Sequence, residues 1–83
     1  MTHELKIYPK YFNDILNRKK TFEVRKNDRP FTENDYLALN EYSPDTGYTG
    51  RSIVLKITYV FDEKEYVKEG YVILGFKHCD KGE

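Results

Sequence analysis

The stretch that decides the fold is Tyr36-Leu37-Ala38-Leu39-Asn40-Glu41-Tyr42, a break at Ser43-Pro44-Asp45-Thr46-Gly47, and a long return through Arg51-Ser52-Ile53-Val54-Leu55-Lys56-Ile57-Thr58-Tyr59 to Phe61. Apolar residues alternate with polar or small ones on both arms, the period of a strand with one buried face. Leu37, Leu39 and Glu41 share one face of the first arm; Arg51, Ile53, Leu55, Ile57 and Tyr59 share one face of the second. One register sets Leu39 opposite Ile53, Leu37 opposite Leu55 and Glu41 opposite Arg51. A slip of one residue would turn the whole apolar set to solvent, so the pattern predicts this hairpin in this register.

Working outward, Glu4 to Tyr8 alternates Leu5 and Ile7 with Glu4 and Lys6 and predicts a short strand. Pro9 suits a first helical turn, where its missing N–H costs nothing. From Pro9 to Asn17 the residues Tyr11, Phe12, Ile15 and Leu16 form one helical stripe, predicted to include the buried contacts of a two-turn helix ending at Asn17. Thr21 to Lys26 alternates again, and the expectation places Phe22 and Val24 in the core with Thr21, Glu23 and Arg25 on the opposite, polar face. Asn27 to Pro30 and Thr32 to Asp35 carry turn chemistry, and Asn34 can adopt a left-handed conformation. After the acidic connection Asp62 to Gly70, Tyr71 to Phe76 reads as an apolar strand. Gly75 inside it suggests a bend or a close backbone approach. Five short strands and one helix predict an α+β, mainly β domain whose sheet closes, or nearly closes, into a small mixed barrel, because closure removes exposed strand edges.

Composition bounds the function. Eighty-three residues allow one domain, taken as residues 1–77 with a tail over 78–83. Charged residues make up 34% of the chain, but eight Tyr and five Phe supply the large side chains a core needs. The single cysteine, Cys79, cannot form an internal disulfide. The N-terminal residues are too polar for a signal peptide, and no apolar run approaches a membrane span. The expectation is therefore a cytoplasmic protein without a membrane role. His3, His78 and Cys79 are too few to hold a metal, and nothing in the sequence asks for a cofactor. The fourteen cations and fourteen anions cancel, which argues against a general nucleic-acid coat. They are unevenly spread, however: Arg18 to Arg29 carries six cations against Glu23 and Asp28, the kind of local excess that can face an anion.

Two constellations could carry chemistry. In Lys20-Thr21-Phe22-Glu23-Val24-Arg25 a carboxylate between two cations stays ionised and orients both, leaving donors for a phosphate or a base edge. At the hairpin end, Glu41 and Arg51 point inward as a pair, flanked by Tyr42 and Tyr48, whose rings could stack on a base. The bland alternatives are an exposed strand with alternating charges and a plain cross-strand ion pair.

The segment Leu16-Asn17-Arg18-Lys19-Lys20-Thr21-Phe22-Glu23-Val24-Arg25 resembles the signature of the ASCH superfamily, Gly-x-Lys-x-x-Glu-x-Arg after a short helix, with Lys20, Glu23 and Arg25 matching it. Further matches at His3 to Lys6, Pro9, Tyr11-Phe12, Leu39 to Tyr42 and Thr46 to Arg51 resemble a short branch of that superfamily found in bacteria and their phages. Arg18 stands in the signature's glycine position, so the backbone there forgoes glycine's freedom, and Asn34-Asp35 replaces a usual Gly-Asp. The resemblance implies a PUA-like barrel with one or two short helices and a cleft beside the first. It also implies RNA binding; together with the local cationic patch and the two constellations, the expectation is that Lys6, Lys20, Glu23, Arg25, Glu41, Tyr42, Tyr48 and Arg51 hold RNA or a nucleotide in one cleft. A related branch hydrolyses the amide of an acetylated cytidine through a Lys, a Thr and a distant Glu. Lys20 matches that lysine, but Glu23 falls at the threonine position. Amide hydrolysis of an acylated nucleoside, with Lys20 and Glu23 as the catalytic candidates, is thus the alternative function. A protein-interaction role in a phage or mobile element is a third.

Overall fold

A computed structural model describes residues 1–79. The chain runs β1 (Thr2–Ile7), α1 (Pro9–Leu16), β2 (Phe22–Lys26), β3 (Tyr36–Ser43), β4 (Gly47–Phe61) and β5 (Tyr71–His78). The five strands form one sheet in the order β1-β3-β4-β5-β2. β1 lies parallel to β3, and every other neighbour is antiparallel. The protein is mainly β with one short helix, and its sheet curls into a half-barrel. The expected closure is incomplete, because β1 and β2 are the two edges and share no backbone pairing.

The hairpin is the centre of this architecture. Leu39 faces Ile53 and Leu37 faces Leu55, the register that alternation predicts. β4 is long enough to pair with β3 through its first part and with β5 through its second, so one strand carries the curl of the whole sheet. Two irregularities add to the twist. One lies between Asn40 and Tyr42, where the pairing shifts to Tyr42 opposite Tyr48; Glu41 and Arg51 are therefore not backbone partners, although their side chains meet. The other lies between Ile57 and Tyr59, and the extra residue turns Tyr59 outward, 59% exposed instead of facing the core. Gly75 sits opposite this second bulge. A Cβ there would make only ordinary contacts with Thr58 and Tyr59, so the bend, and not lack of space, accompanies the glycine.

The core gathers Ile7, Leu37, Leu39, Leu55, Ile57, Val72, Leu74 and Phe76 from the sheet, with Phe12 and Ile15 of α1 laid over them. Burying side chains of this size stabilises each by about 1.5–3 kcal/mol relative to exposure. Pro9 occupies the first turn of α1, and Asn17 ends it by donating its N–H to the Asn13 carbonyl at 2.9 Å. Only Phe12 and Ile15 of the expected stripe are buried; Tyr11 and Leu16 are exposed, because a two-turn helix on a curved sheet presents only a narrow strip to it.

β2 reverses the expectation from its sequence. Glu23 is buried, while Phe22 and Val24 are 45% and 50% exposed. Alternation divides a strand into two faces but does not say which is inside. Here the polar face is the inner one, because Glu23 finds cations on both sides of it. The chain reaches β2 through Arg18, whose φ of 61° is left-handed despite the missing glycine; Asn34, at φ 77°, does what its turn chemistry predicts. β5 runs on to His78, which pairs with Leu55, so His78 belongs to the sheet and not to a tail; residues 80–83 of the expected tail lie outside the described residues.

Candidate functional site

Where the half-barrel fails to close, a cleft of about 750 Å³ opens between the end of β1, the start of α1 and β2. Lys6, Tyr8 and Tyr11 line one side, Lys20, Phe22, Glu23, Arg25 and Lys26 the other, with Tyr42 and Tyr71 contributing rings. At its centre the Glu23 carboxylate accepts a hydrogen bond from Lys20 Nζ on one oxygen and from Arg25 Nε at 2.8 Å on the other. Arg25 reaches further and donates a second N–H to the backbone carbonyl of Lys6. One side chain thus spans the gap between the two edge strands. Lys20 also lies over the rings of Tyr11 and Phe22, at 5.2 and 5.1 Å. Lys6 has no carboxylate partner among the described residues; its ammonium sits 4.3 Å above the centre of the Tyr42 ring. Cations held by ring faces and one shared carboxylate keep donor capacity for an incoming anion.

The second constellation is built differently. Glu41, 3% exposed, accepts from Arg51 Nε at 2.8 Å and from a second Arg51 nitrogen at 2.9 Å, and from Thr49 Oγ1 at 2.6 Å. These hydrogen bonds, Arg51 first and then Thr49, hold its pKa at about 2, against desolvation that acts in the opposite sense; the same carboxylate raises the pKa of Arg51. Arg51 also donates to Asn13 Oδ1 at 3.0 Å and lies over the Phe12 ring at 4.7 Å. The pair therefore ties the hairpin to α1.

Of the eight residues expected in one ligand site, Lys6, Lys20, Glu23, Arg25 and Tyr42 line the cleft. Glu41, Arg51 and Tyr48 do not. Tyr48 packs edge-on against Tyr42 at 5.1 Å, as their cross-strand pairing requires, and reaches the cleft only through that contact and through Lys6, 5.8 Å above its ring. Residues that the sequence did not suggest are Tyr8, Tyr11, Phe22, Lys26 and Tyr71. Tyr11 and Phe22 were hidden by assignment to the core. Also unforeseen is a partly buried polar contact between His3 Nε2 and Asp35 Oδ2 at 2.9 Å, with the Phe31 ring 4.7 Å from the imidazole. Bonding to His3 is the main cause of a lowered Asp35 pKa. It pins β1 to the turn before β3, and partners so far apart in sequence leave no local signal. Among the described residues no group of three or more His, Cys, Asp or Glu side chains is placed to hold a metal ion, and no helix is long and apolar enough to cross a membrane.

Comparison with known proteins matches this molecule over nearly its whole length. A relative from Escherichia phage P2, described as an uncharacterized 12.9 kDa protein in the GpA 3' region, is 40% identical over 72 residues, which cover 87% of this chain. The chain spans 64% of that relative's length. A family described as a domain of unknown function, DUF3850, matches residues 2–76, from the first strand to the last apolar residue of β5. Over that match, which takes in β1 to β4, β5 as far as Phe76 and every residue of the cleft, the chain belongs to the DUF3850 family.

Proposed function

We propose that the domain binds RNA or a nucleotide in the cleft between β1 and β2. One observation carries this reading: the cleft lining sets four cations, Lys6, Lys20, Arg25 and Lys26, against the single carboxylate of Glu23, in a chain whose charges otherwise cancel. Such a concave cationic surface concentrates anions. The same lining presents tyrosine and phenylalanine rings, of which Tyr8, Tyr11 and Phe22 are 55%, 43% and 45% exposed. Cations beside accessible ring faces suit a ligand that joins a phosphate to a flat base. The ASCH-like pattern of Lys20, Glu23 and Arg25 supports the reading, since these three residues form the centre of the cleft. Hydrolysis of an acylated nucleoside would draw on Lys20 and Glu23. With no Ser, Thr or Cys in the lining, that chemistry would use a water activated by Lys20; the excess of cations over carboxylates is what favours binding.

The test is a titration of isotope-labelled protein with uridine and adenosine 5′-monophosphates and with short RNA at low salt. Amide resonances of Lys6, Tyr11 and Phe22 to Lys26 are expected to move, and Lys20→Ala to weaken binding about tenfold. Affinity should fall with added salt, with a shallow slope because few phosphates are engaged. Resonances that stay still with every ligand overturn the reading. Turnover of a panel of modified nucleosides that is lost in Lys20→Ala would replace it with the hydrolytic one.

A further inference from the structure

The outer face of β2 and β5 is more apolar than a solvated sheet face needs to be, because Phe22 and Val24 point away from the core. Cross-strand pairing sets Phe22 against Gly75 and Val24 against Ile73, and Gly75 in turn faces Tyr59. A second hollow, about 360 Å³, lies on this face, lined by Val24, Tyr66, Val67, Lys68, Tyr71 and Ile73. Val24 and Tyr71 line both it and the main cleft, so the two hollows are contiguous. Its outer wall is Tyr66, the most exposed ring in the described chain at 78%. Val67, 6% exposed, anchors the connection that carries Tyr66, and the turn is closed by the Val67 N–H donating to the Glu63 carbonyl at 2.8 Å. Lys68 lies 5.5 Å above the Tyr71 ring and adds a cation.

We infer that the ligand of the cleft is a single-stranded polynucleotide rather than a lone nucleotide, and that this second hollow is the subsite for its neighbouring residues, with Tyr66 as the stacking platform. The inference rests on the nucleotide-binding reading of the cleft and extends it. Charge complementarity selects a polyanion: the two linings together hold Lys6, Lys20, Arg25, Lys26 and Lys68 against Glu23 alone. Geometry selects a single strand, since a base must lie flat on Tyr66 or Phe22 and a duplex buries those base faces. The connection that carries Tyr66 holds Asp62, Glu63, Glu65 and Glu69 against Lys64 and Lys68, so the second hollow would take a base on its ring while the phosphates stay with the cations of the main cleft, and the track would end there. A site of roughly four nucleotides follows, the short end of the ~4–16 found for single-strand-binding barrels.

The experiment compares uridine 5′-monophosphate with the di-, tetra- and octanucleotides of uridine, and with the 2′-deoxyuridine series, by calorimetry at low salt. Affinity is expected to rise at least tenfold from mono- to tetranucleotide and then to level off. In Tyr66→Ala the ratio of tetranucleotide to mononucleotide affinity is expected to fall about tenfold. Lys68→Ala should lower it less. A mononucleotide that binds as tightly as the tetranucleotide overturns the track and leaves the cleft reading standing, as does a length dependence untouched by Tyr66→Ala and Lys68→Ala. Absence of binding across the whole series overturns both. The deoxyuridine arm decides whether the strand is RNA or DNA: weaker binding of deoxyuridine oligomers assigns a contact to the ribose hydroxyl, and equal binding assigns recognition to phosphate and base alone.

Discussion

Glu23 and Glu41 are the two buried carboxylates of the sheet, and each is held by an arginine, but their surroundings give them different roles. Glu41 takes two hydrogen bonds from Arg51 and one from Thr49, and Arg51 uses its remaining reach on Asn13 and on the ring of Phe12, itself 1% exposed. The donors of Arg51 that are engaged, Nε and one terminal nitrogen, tie Glu41 to α1, although the side chain is 49% exposed. Glu23 shares two cations with an open cleft, and the ring beside its lysine, Phe22, faces solvent. The comparison teaches that inward-pointing charge is not by itself a functional signal. What distinguishes the Glu23 cluster is its place: Lys20, Glu23 and Arg25 line a cleft among accessible rings, and Glu41 and Arg51 do not.

The largest effect that could break this comparison is at the two rings. Phe12→Ala should cost about 3–5 kcal/mol in a urea melt, as a core aromatic does, whereas Phe22→Ala should stay within about 1 kcal/mol, as an exposed position does, and weaken ligand binding. Equal losses would mean that the Glu23 cluster is as structural as the other. Next come the arginines. Arg51→Ala should destabilise more than Arg25→Ala, because Glu23 keeps Lys20 whereas Glu41 keeps only a hydroxyl.

The pH dependence follows from Glu41. Its pKa is depressed from 4.5 to about 2, so its contribution to stability is fully present above about pH 4.5 and is lost as pH falls towards 2. Stripped of Arg51, the carboxyl should titrate closer to 4.5, and the stability gap between Arg51→Ala and the parent should narrow across that window. A gap independent of pH would place the loss in the Phe12 stacking instead. The smallest structural effect is expected at Lys6. Lys6→Ala breaks no ion pair among the described residues and should shift stability by less than about 1 kcal/mol. It should nonetheless weaken nucleotide binding several-fold and make its salt dependence shallower.

Much of the fold is legible in the sequence, because hydrophobic alternation is a local record of burial. The hairpin register, the helix start at Pro9 and the left-handed turn at Asn34 all follow from residues within a few positions of one another. The inverted face of β2 was not legible, since Phe22 and Val24 are apolar enough for a core and nothing nearby shows that Lys20 and Arg25 will neutralise Glu23 inside. The outward turn of Tyr59 depends on a single extra residue in β4, and alternation is blind to bulges. Of the site, the charged centre was readable from the spacing of Lys20, Glu23 and Arg25. Its aromatic walls were not, because Tyr8, Tyr11 and Tyr71 meet there only once the sheet has curled.

The bond from Arg25 to the Lys6 carbonyl joins two strands that enter the sheet from opposite sides, and this has a kinetic consequence. β3 and β4 are neighbours in sequence and pay little loop-closure entropy, whereas β1 and β2 each find partners far along the chain. This order predicts that the bridge between them forms after the folding barrier has been crossed, so that the cleft is completed only in the finished molecule. A ligand spanning that bridge would act as a brake on unfolding without hastening folding: in stopped-flow experiments it should lower the unfolding rate and leave the refolding rate unchanged. A ligand that accelerated refolding would show instead that the two edges meet early, and that the recognition site helps to build the protein that carries it.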